Sequence, residues 1–473
     1  MGIPGLLATL FLPWLLGVVW LRARWLKADN LDWPTLLGYG YLAGALMTTL
    51  TMRLLGLLGM RLGFLNIALT LTILIALGVW AGRGMPWQGL RLGSDWRALA
   101  GWHRAAFAGL MGLVAVRLAG LGLEIIWQPL YAWDAWSHWA TKARVWFELG
   151  HLAPFASYDI WLQTDGVFTD RAPHYPPAIP LLQVWTSLGL GRWDDVLMSL
   201  PWLMCAIALV MAFYGQARQW GIAPLFAMMF TYFLLSLPLL DTHVALAGNA
   251  DLFLGAVYGL AAFAFFHWTR SRATWQGVMA ILLGAGCILL KQPGIGWALT
   301  LLPAFWVALA PRAGLIGTLL LGTLALAGLL LFGQNGFNLL GYSLKLAYTP
   351  VWLPLWDNLA VLDNWHLLFY LVVAALLVFL PRLFAPAYRA MTVAMGSALA
   401  FVLAIFFFTH VGAWVEDYTV INRALLHLVP MLLFYVMVLC WEASGSKPAI
   451  AAAGQADQAE EAATGIRPVG QTH

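Results

Sequence analysis

The sequence predicts an all-α, polytopic membrane protein with about thirteen transmembrane helices. Of its 473 residues, 62% are hydrophobic and only 10% are charged, whereas soluble globular domains carry about 25% charged residues. Apolar runs of about 18 residues or more, each long enough to cross a hydrocarbon core of about 30 Å, recur along the chain. They occupy residues 3–20, 35–58, 63–80, 105–127, 195–215, 222–240, 249–268, 275–291, 294–310, 313–332, 365–380, 391–410 and 424–442.

The N-terminal part of the chain adds three helices before the first long loop. The first of them lacks the basic start and the small-residue cleavage site of a signal peptide, so we expect it to be retained. Residues 1–104 therefore form an N-terminal unit, and residues 105–442 form the main membrane domain. The cysteines are far apart and lie inside predicted helices, which is neither a disulfide framework nor a zinc spacing. They are Cys205, Cys287 and Cys440.

The charges of the loops predict which side of the membrane each loop occupies. Basic residues concentrate in cytoplasmic loops, and here they fall in alternate loops, as with Arg22, Arg83, Arg104, Arg218, Arg270, Arg312 and Arg382. Most acids fall on the opposite side, among them Asp134, Asp159, Asp170, Asp241, Asp251, Asp357 and Asp363. The pattern predicts an outside N-terminus and a cytoplasmic C-terminus. It also predicts extracytoplasmic loops at 128–194 and 333–364, and the small polar residues 443–473 predict a disordered cytoplasmic tail.

The first long loop begins with the amphipathic stretch YAWDAWSHWATKARVW, residues 131–146. On a helical wheel one arc is polar and holds Asp134, His138, Thr141, Lys142 and Glu148. The opposite arc holds Trp136, Trp139, Ala143, Trp146 and Phe147. We expect residues 134–147 to form a helix parallel to the membrane plane, with the polar stripe facing a water-accessible cavity. The alternative is an interfacial anchor whose polar face is only solvated, although Arg117 and Glu124 in the preceding helix favour a functional site.

Other polar residues lie at or near the predicted outer ends of helices. In APHYPPAIPLLQVW, the prolines predict a helix that begins near Pro176, with His174 and Tyr175 at its N-terminus, where an anion is favoured. A simple turn is the alternative. Asp251 and Arg423 open predicted spans and Lys291 closes one. Each charge alone is typical of a snorkelling anchor, but together they suit an anionic lipid head group that meets a hydroxyl-bearing acceptor.

In this order, the motifs resemble those of the GT-C glycosyltransferases, polyprenyl-phosphate-sugar-dependent enzymes that include protein O-mannosyltransferases and bacterial aminoarabinose transferases. In that class a spanning helix leads into a large first extracytoplasmic loop with an essential acid near its start, which WDAW with Asp134 matches. Three further matches follow along the chain: PHYPPAIP with His174, GAGCILLKQPG with Lys291, and NRALLHLVP with Arg423. The resemblance covers residues 105–442.

The resemblance implies a GT-C-like fold, with interfacial helices in the first loop, in a bacterial inner membrane. It implies an inverting transfer of a sugar from a polyprenyl-phosphate donor to a glycan, lipid or protein acceptor, with no nucleic acid involved. Asp134 would be the base, since a phosphate leaving group needs no acid catalyst. The donor-binding residues would be Lys291, Arg423, His174, Tyr175, His138, Lys142 and Asp251. No cofactor is expected, because alanine rather than a second acid follows Asp134, although a divalent metal stays open.

Three alternatives share parts of this pattern. A flippase or transporter of lipid-linked sugars would also need charges that face a cavity, but these charges should continue to the cytoplasmic side. A non-enzymatic assembly protein should tolerate the loss of Asp134. An O-antigen ligase or polymerase uses the same kind of donor but relies on arginines and a histidine in a late loop, whereas residues 333–364 contain Lys345 as their one base.

Overall fold

The computed structural model describes residues 2–25, 33–84, 96–97, 99–332, 335–339, 342–344, 348–415, 418 and 420–445. In this part of the chain the protein is mostly helical, with almost no strand. The α-helices are α1 (Gly2–Trp25), α2 (Trp33–Leu57), α3 (Phe64–Ala81), α4 (Trp102–Trp127), α5 (Thr141–Leu149), α6 (Tyr158–Trp161), α7 (Ala178–Leu190), α8 (Leu200–Gln219), α9 (Pro224–Leu235), α10 (Pro238–Ala245), α11 (Asp251–Ser271), α12 (Thr274–Leu290), α13 (Gly294–Leu309), α14 (Pro311–Phe332), α15 (Trp352–Trp356), α16 (Leu368–Val378), α17 (Leu380–Leu383), α18 (Arg389–Phe408) and α19 (Val420–Ala443).

Short segments of other secondary structure complete the described chain. Two are π-helical, π1 (Ala135–Ala140) and π2 (Asp357–Val361), and two are 3₁₀-helical, Leu197–Ser199 and His410–Trp414. Strands β1 (Phe155–Ala156) and β2 (Phe168–Thr169) pair in parallel, and β3 (Phe337–Leu339) and β4 (Tyr342–Leu344) pair antiparallel. Lys345 and the predicted tail from residue 446 onward lie outside the described residues.

Within the described ranges, eight helices are long and apolar enough to cross a membrane, which supports the prediction of a polytopic membrane protein. They are α1, α3, α4, α8, α11, α14, α18 and α19. The pair α9 and α10, bent by 62°, makes a ninth span if it is counted as one. The other predicted stretches coincide with α2 and with the shorter apolar helices α12, α13 and α16. All thirteen apolar stretches are thus helical, but a count of thirteen spans is not confirmed.

The outer helices expose apolar side chains, as expected for lipid-facing surfaces. Along α3, exposed side chains recur every fourth residue, at Leu65, Leu69, Ile73 and Leu77. Helix α14 exposes a similar face that includes Leu319, Leu320 and Leu324. A water-soluble monomer rarely shows such large contiguous apolar surfaces. These faces therefore support a membrane-embedded protein.

Helix α11 lies at the centre of the bundle. Every residue from Asp251 to His267 is buried, so this helix is surrounded by protein on all sides. It packs closely against α19, since an added Cβ at Gly259 would lie 2.8 Å from a side-chain carbon of Pro430. The rings of Phe263 and Phe434 stack at 4.7 Å. The first turn of α11 is thereby held next to the first turn of α19.

At the opposite end of α11 and α19, an ion pair between Arg270 and Glu442 fixes the two helices. Arg270 lies 3.2 Å from the Glu442 carboxylate, and Trp220 Nε1 donates to the same carboxylate at 2.9 Å. The Tyr388 hydroxyl also donates to Glu442.

The short link between α11 and α12 makes the chain turn back, so the end of α12 returns to the level at which α11 begins. This arrangement brings Lys291, directly after α12, to the side of Asp251.

Candidate functional site

Asp251, the first residue of α11, is the centre of a cluster of charged side chains. Its side chain has no exposed surface, and its carboxylate accepts three hydrogen bonds. Lys291 Nζ donates to Oδ1 at 2.7 Å, and His427 Nε2 donates to the same oxygen at 3.0 Å. Arg423 Nε donates to Oδ2 at 2.8 Å. The helix N-terminus also favours a negative charge at this position.

Arg423 connects this buried carboxylate to Asp134. Its Nη1 donates to Asp134 Oδ2 at 2.6 Å, while its Nε holds Asp251. Exposure rises along the chain of contacts, from 0% for the Asp251 side chain to 22% for Arg423 and 41% for Asp134. Asp134 is therefore the solvent-accessible end of a network whose other end is buried.

The network balances its charges. Asp134 and Asp251 face Arg423 and Lys291, so the two carboxylates and two cations sum to zero when His427 is neutral. Buried charges are tolerated when they are paired and hydrogen-bonded, and removal of one partner is costly. Asp251 holds both cations, and Arg423 in turn holds Asp134.

Gly248 allows the segment that carries Asp134 to approach the loop before α11. Its φ is +107°, and an added Cβ would lie 2.7 Å from the Ala135 Cβ. A residue with a side chain would therefore be strained at 248 and would push π1 away from the loop. On the other side of this loop, Trp202 Nε1 donates to the Asn249 carbonyl at 2.8 Å. The glycine contact and the tryptophan hydrogen bond hold this loop between π1 and α8.

We expect Gly248→Ala to destabilise the protein and to disrupt the Asp134–Arg423 pair. Gly166→Ala is the matched control, because Gly166 also has a positive φ, +77°, but an added Cβ there would meet nothing within 4 Å. Thermal unfolding in detergent and a structure of each variant measure the effect. Equal losses in the two variants would show that backbone strain alone matters and that the contact with Ala135 does not.

A second cluster lies in the first loop and was not predicted. His138 Nδ1 and Asp170 Oδ1 are 2.7 Å apart, and Lys142 Nζ lies 2.8 Å from Asp170 Oδ2. Lys142 Nζ also donates to the Ala172 carbonyl at 2.8 Å. All three ionisable side chains are buried. The cluster fixes π1 and α5 to the turn that precedes α7.

Burial and pairing shift the pKa values of these groups. Burial lowers the pKa of His138, and the contact with Asp170 offsets only part of this effect. Burial also lowers the pKa of Lys142 despite the neighbouring carboxylate. Burial acts to raise the pKa of Asp170, but the hydrogen bonds and charges of His138 and Lys142 outweigh it, so this pKa is lowered. Asp170 is therefore ionised at neutral pH.

The structure corrects the predicted environment of residues 134–147. The stretch is helical, as π1 followed by α5, and both ends of its polar stripe, the side chains of Asp134 and Glu148, are exposed. The middle of the stripe is buried instead of solvated. His138 and Lys142 share a face, as the wheel predicts, and this face packs on Asp170. The prediction for the aromatic arc is also partly wrong, because Trp139 and Trp146 are buried in protein while Trp136 is exposed.

The predicted residues before α7 have different environments. His174 is exposed and lies in the turn, four residues before the helix begins at Ala178. Tyr175 is half-buried, and its ring contacts His138 at 5.0 Å and Trp139 at 5.5 Å. Tyr175 thus joins the cluster around Asp170, while His174 has no hydrogen-bond or ring partner among the described residues.

Sequence reasoning missed Asp170 and His427. His427 follows Arg423 by four residues in α19, a spacing that places both on one helix face and could have been noticed. Asp170 lies in an irregular loop after β2, where no periodicity indicates what it faces. Arg117, predicted at membrane depth, forms an ion pair with Asp241.

The site can bind an anion more readily than a cation. Asp251 and one oxygen of Asp134 already accept hydrogen bonds from cationic groups, so a metal ion would have to displace an arginine or a lysine. In the described part of the chain, no group of three or more His, Cys, Asp or Glu side chains is placed to hold a metal. Among the described residues, Arg423 Nη2 makes no hydrogen bond and Lys291 Nζ makes one, to Asp251. These donors remain for an oxyanion.

No protein-family model, curated protein sequence or solved structure matches the chain.

Proposed function

We propose that the protein is a membrane-embedded, inverting glycosyltransferase that moves a sugar from a polyprenyl-phosphate donor to an acceptor hydroxyl on the extracytoplasmic side. One observation carries the proposal: the half-exposed carboxylate of Asp134 shares a site with Arg423 and Lys291, two cations held side by side by buried Asp251. A proton acceptor beside a pair of phosphate-binding groups suits a displacement with a phosphate leaving group.

Asp134 is the base in this reaction. The acceptor oxygen forms a bond to the anomeric carbon while the bond from that carbon to the phosphate oxygen breaks. The electron pair of the broken bond goes to the phosphate, and the hydroxyl proton goes to Asp134. Such general base catalysis contributes about 10²–10⁴ in rate. Direct attack on the face opposite the phosphate inverts the anomeric configuration.

Arg423 and Lys291 bind the phosphate and stabilise the charge it gains as it leaves. Asp251 is too buried to touch the donor, so its role is to position the two cations. It holds Arg423 through Nε, which leaves Nη2 for a phosphate oxygen. Charge-assisted contacts of this kind are about twice as strong as neutral hydrogen bonds.

An apolar groove lies one helix, α10, away from the loop that precedes Asp251. It has a volume of about 500 Å³ and lies beside the bend between α9 and α10, lined by Phe233, His366, Leu367, Tyr370, Leu371 and Ala374. Helix α10 begins at this bend and leads into the loop before Asp251. Its eight residues span about 12 Å. A lipid with its phosphate at Arg423 and Lys291 would have an apolar surface within reach of its chain.

We expect Lys291→Ala to weaken donor binding by about 10- to 100-fold, because a charge-assisted hydrogen bond contributes about 1.5–3 kcal/mol. Titration of the purified protein with a polyprenyl-phosphate sugar measures the dissociation constant. Arg144→Ala is the control, since Arg144 is an exposed cation of the same loop region as Asp134. Equal affinities for the wild-type protein and Lys291→Ala would exclude Lys291 from the phosphate site.

The lipid that co-purifies with the protein tests the function directly. Mass spectrometry of extracts from the purified wild-type protein should detect a polyprenyl phosphate or its glycosylated ester. The same lipid should be depleted in Lys291→Ala and retained in Asp134→Asn, because only the former loses a phosphate contact.

A further inference from the structure

Asp170 holds two parts of the first loop together. Its carboxylate lies 2.7 Å from His138 Nδ1 in π1 and 2.8 Å from Lys142 Nζ in α5. It also accepts a hydrogen bond from the Ala172 backbone N–H at 3.3 Å. All three ionisable side chains are buried. Because the loss of one partner from a buried ion pair is costly, this cluster attaches the helical stretch firmly to the turn before α7.

A second attachment lies at the other end of π1. Asp134, the residue directly before this segment, pairs with Arg423 at 2.6 Å. The next residue, Ala135, packs against Gly248. Arg423 belongs to α19 and Gly248 to the loop before α11, so this end is attached to the main bundle. The six residues of π1 thus connect a fixed point in the first loop with a fixed point at the candidate site.

The π-helical form of this segment lets the two attachments point in different directions. In an α-helix, residues four apart share a face, so Asp134, His138 and Lys142 would all lie on one stripe. A π-helix bonds residue i to residue i+5 and so places about one more residue in each turn. His138 and Lys142 still share a face, which packs on Asp170. Asp134 leaves this face and pairs instead with Arg423.

The two attachments explain why the segment is π-helical. Such turns are rare and are frequent at functional sites, so contacts outside the segment must favour the π form over the α form. Without Asp170, the segment would be free to rewind as an α-helix. This rewinding would return Asp134 to the face of His138 and move its carboxylate away from Arg423.

We propose that Asp170 is a positioning residue for the base: it fixes the winding of π1 and thereby keeps the Asp134 carboxylate at the phosphate site. This inference rests on the proposed function. Among the described residues, every partner of the Asp170 carboxylate lies in the first loop. The cations Lys291 and Arg423 are held by Asp251 instead. Loss of Asp170 should therefore displace the base and leave donor binding intact.

Hydrogen–deuterium exchange of the full-length protein in detergent tests the positioning without any substrate. In Asp170→Asn, the backbone amides of π1 should exchange faster by about tenfold or more, because local opening costs less free energy when an attachment is lost. Glu442→Gln is the matched control, since Glu442 is also a mostly buried carboxylate with several partners but lies at the opposite end of α11 and α19. Unchanged exchange in π1, or an equal increase in Glu442→Gln, would overturn the positioning role.

Transfer kinetics test the same role in the reaction. Asp170→Asn should lower the maximal rate by about 10- to 100-fold, since a small displacement of a catalytic group has effects of this size, while the dissociation constant of the donor changes by about twofold or less. Asp165→Asn, the same chemical change in an exposed acid of this loop, should alter neither quantity. An unchanged rate would contradict the proposal. So would a donor affinity that falls as far as the rate, because it indicates general damage.

Two double variants separate positioning from folding. In Asp134→Asn there is no base to position, so the addition of Asp170→Asn should lower the rate further by only about twofold or less; a fully additive loss would refute the role. If Asp170→Asn does not fold, because Lys142 is left as an unpaired buried charge, the neutral variant Asp170→Asn/Lys142→Met replaces it with the same expected results. Absence of transfer by the wild-type protein counts against the proposed function, whereas the exchange measurement still decides the positioning.

Discussion

Replacement of Asp134 by asparagine should lower sugar transfer by about two orders of magnitude or more, while donor affinity changes little. Asparagine keeps the shape of the side chain and an oxygen that can accept from Arg423, but it cannot take a proton. Donor affinity depends on Lys291 and Arg423, which Asp251 still holds in place. Initial rates of transfer and titrations of the donor, measured on the same preparation, separate the two effects.

Asp159→Asn provides the matched control for this substitution. Asp159 is an exposed acid of the same loop and makes no ion pair within the described part of the chain. Its replacement should leave transfer and binding unchanged. If Asp134→Asn were equally neutral, Asp134 would be only a solvated acid at the membrane surface, and the proposed mechanism would be wrong.

Asp251→Asn should have the largest effect on stability, a loss of about 3–5 kcal/mol, because removal of one partner leaves buried charge uncompensated. The Asp251 side chain is fully buried and is the shared partner of Lys291, Arg423 and His427. Without its charge, the two cations repel each other and lose their fixed positions. Donor binding should fall together with the thermal unfolding midpoint in detergent.

A double substitution separates charge balance from side-chain shape. Asp251→Asn leaves one excess positive charge in the network, and Lys291→Met removes it while keeping a side chain of similar length. The double variant Asp251→Asn/Lys291→Met should therefore be more stable than Asp251→Asn alone, but it should not regain donor affinity. If the double variant were the less stable of the two, charge balance would not be what holds the cluster together.

The helices of this protein could be predicted from the sequence because a membrane imposes their length and composition. A chain that crosses the hydrocarbon core must satisfy its backbone hydrogen bonds internally and must be apolar. The predicted helix ends at Asp251 and Lys291 agree to within two residues with the start of α11 and the end of α12. The shorter helices show the limit of this reasoning, since an apolar stretch can be helical without being long enough to cross.

The meeting of Lys291 and Arg423 could be predicted from their shared position at the predicted outer ends of helices. Their common partner, Asp251, could not be predicted in this way. Nothing in a linear pattern shows that Asp251 faces inward between them rather than towards the donor. Only the packing of α11 against α19 and α12 places its carboxylate there.

In the first loop, the sequence pattern predicted correctly which side chains share a helix face, but the predicted surroundings of that face were wrong. The wheel of residues 134–147 shows which side chains share a face but not what that face contacts. His138 and Lys142 do share one, and it packs on Asp170, more than 25 residues later in an irregular loop. Tertiary contacts of this kind leave no periodic signal in the sequence.

The most direct test of glycosyl transfer by this protein is the release of polyprenyl phosphate. Purified protein is incubated in detergent with a membrane lipid extract that supplies polyprenyl-phosphate sugars and acceptors, and polyprenyl phosphate is quantified by mass spectrometry. The wild-type protein should release it with time, and Asp134→Asn should release about a hundredth as much or less. Equal release by both proteins, or none by the wild-type protein, would contradict a glycosyltransferase with Asp134 as its base.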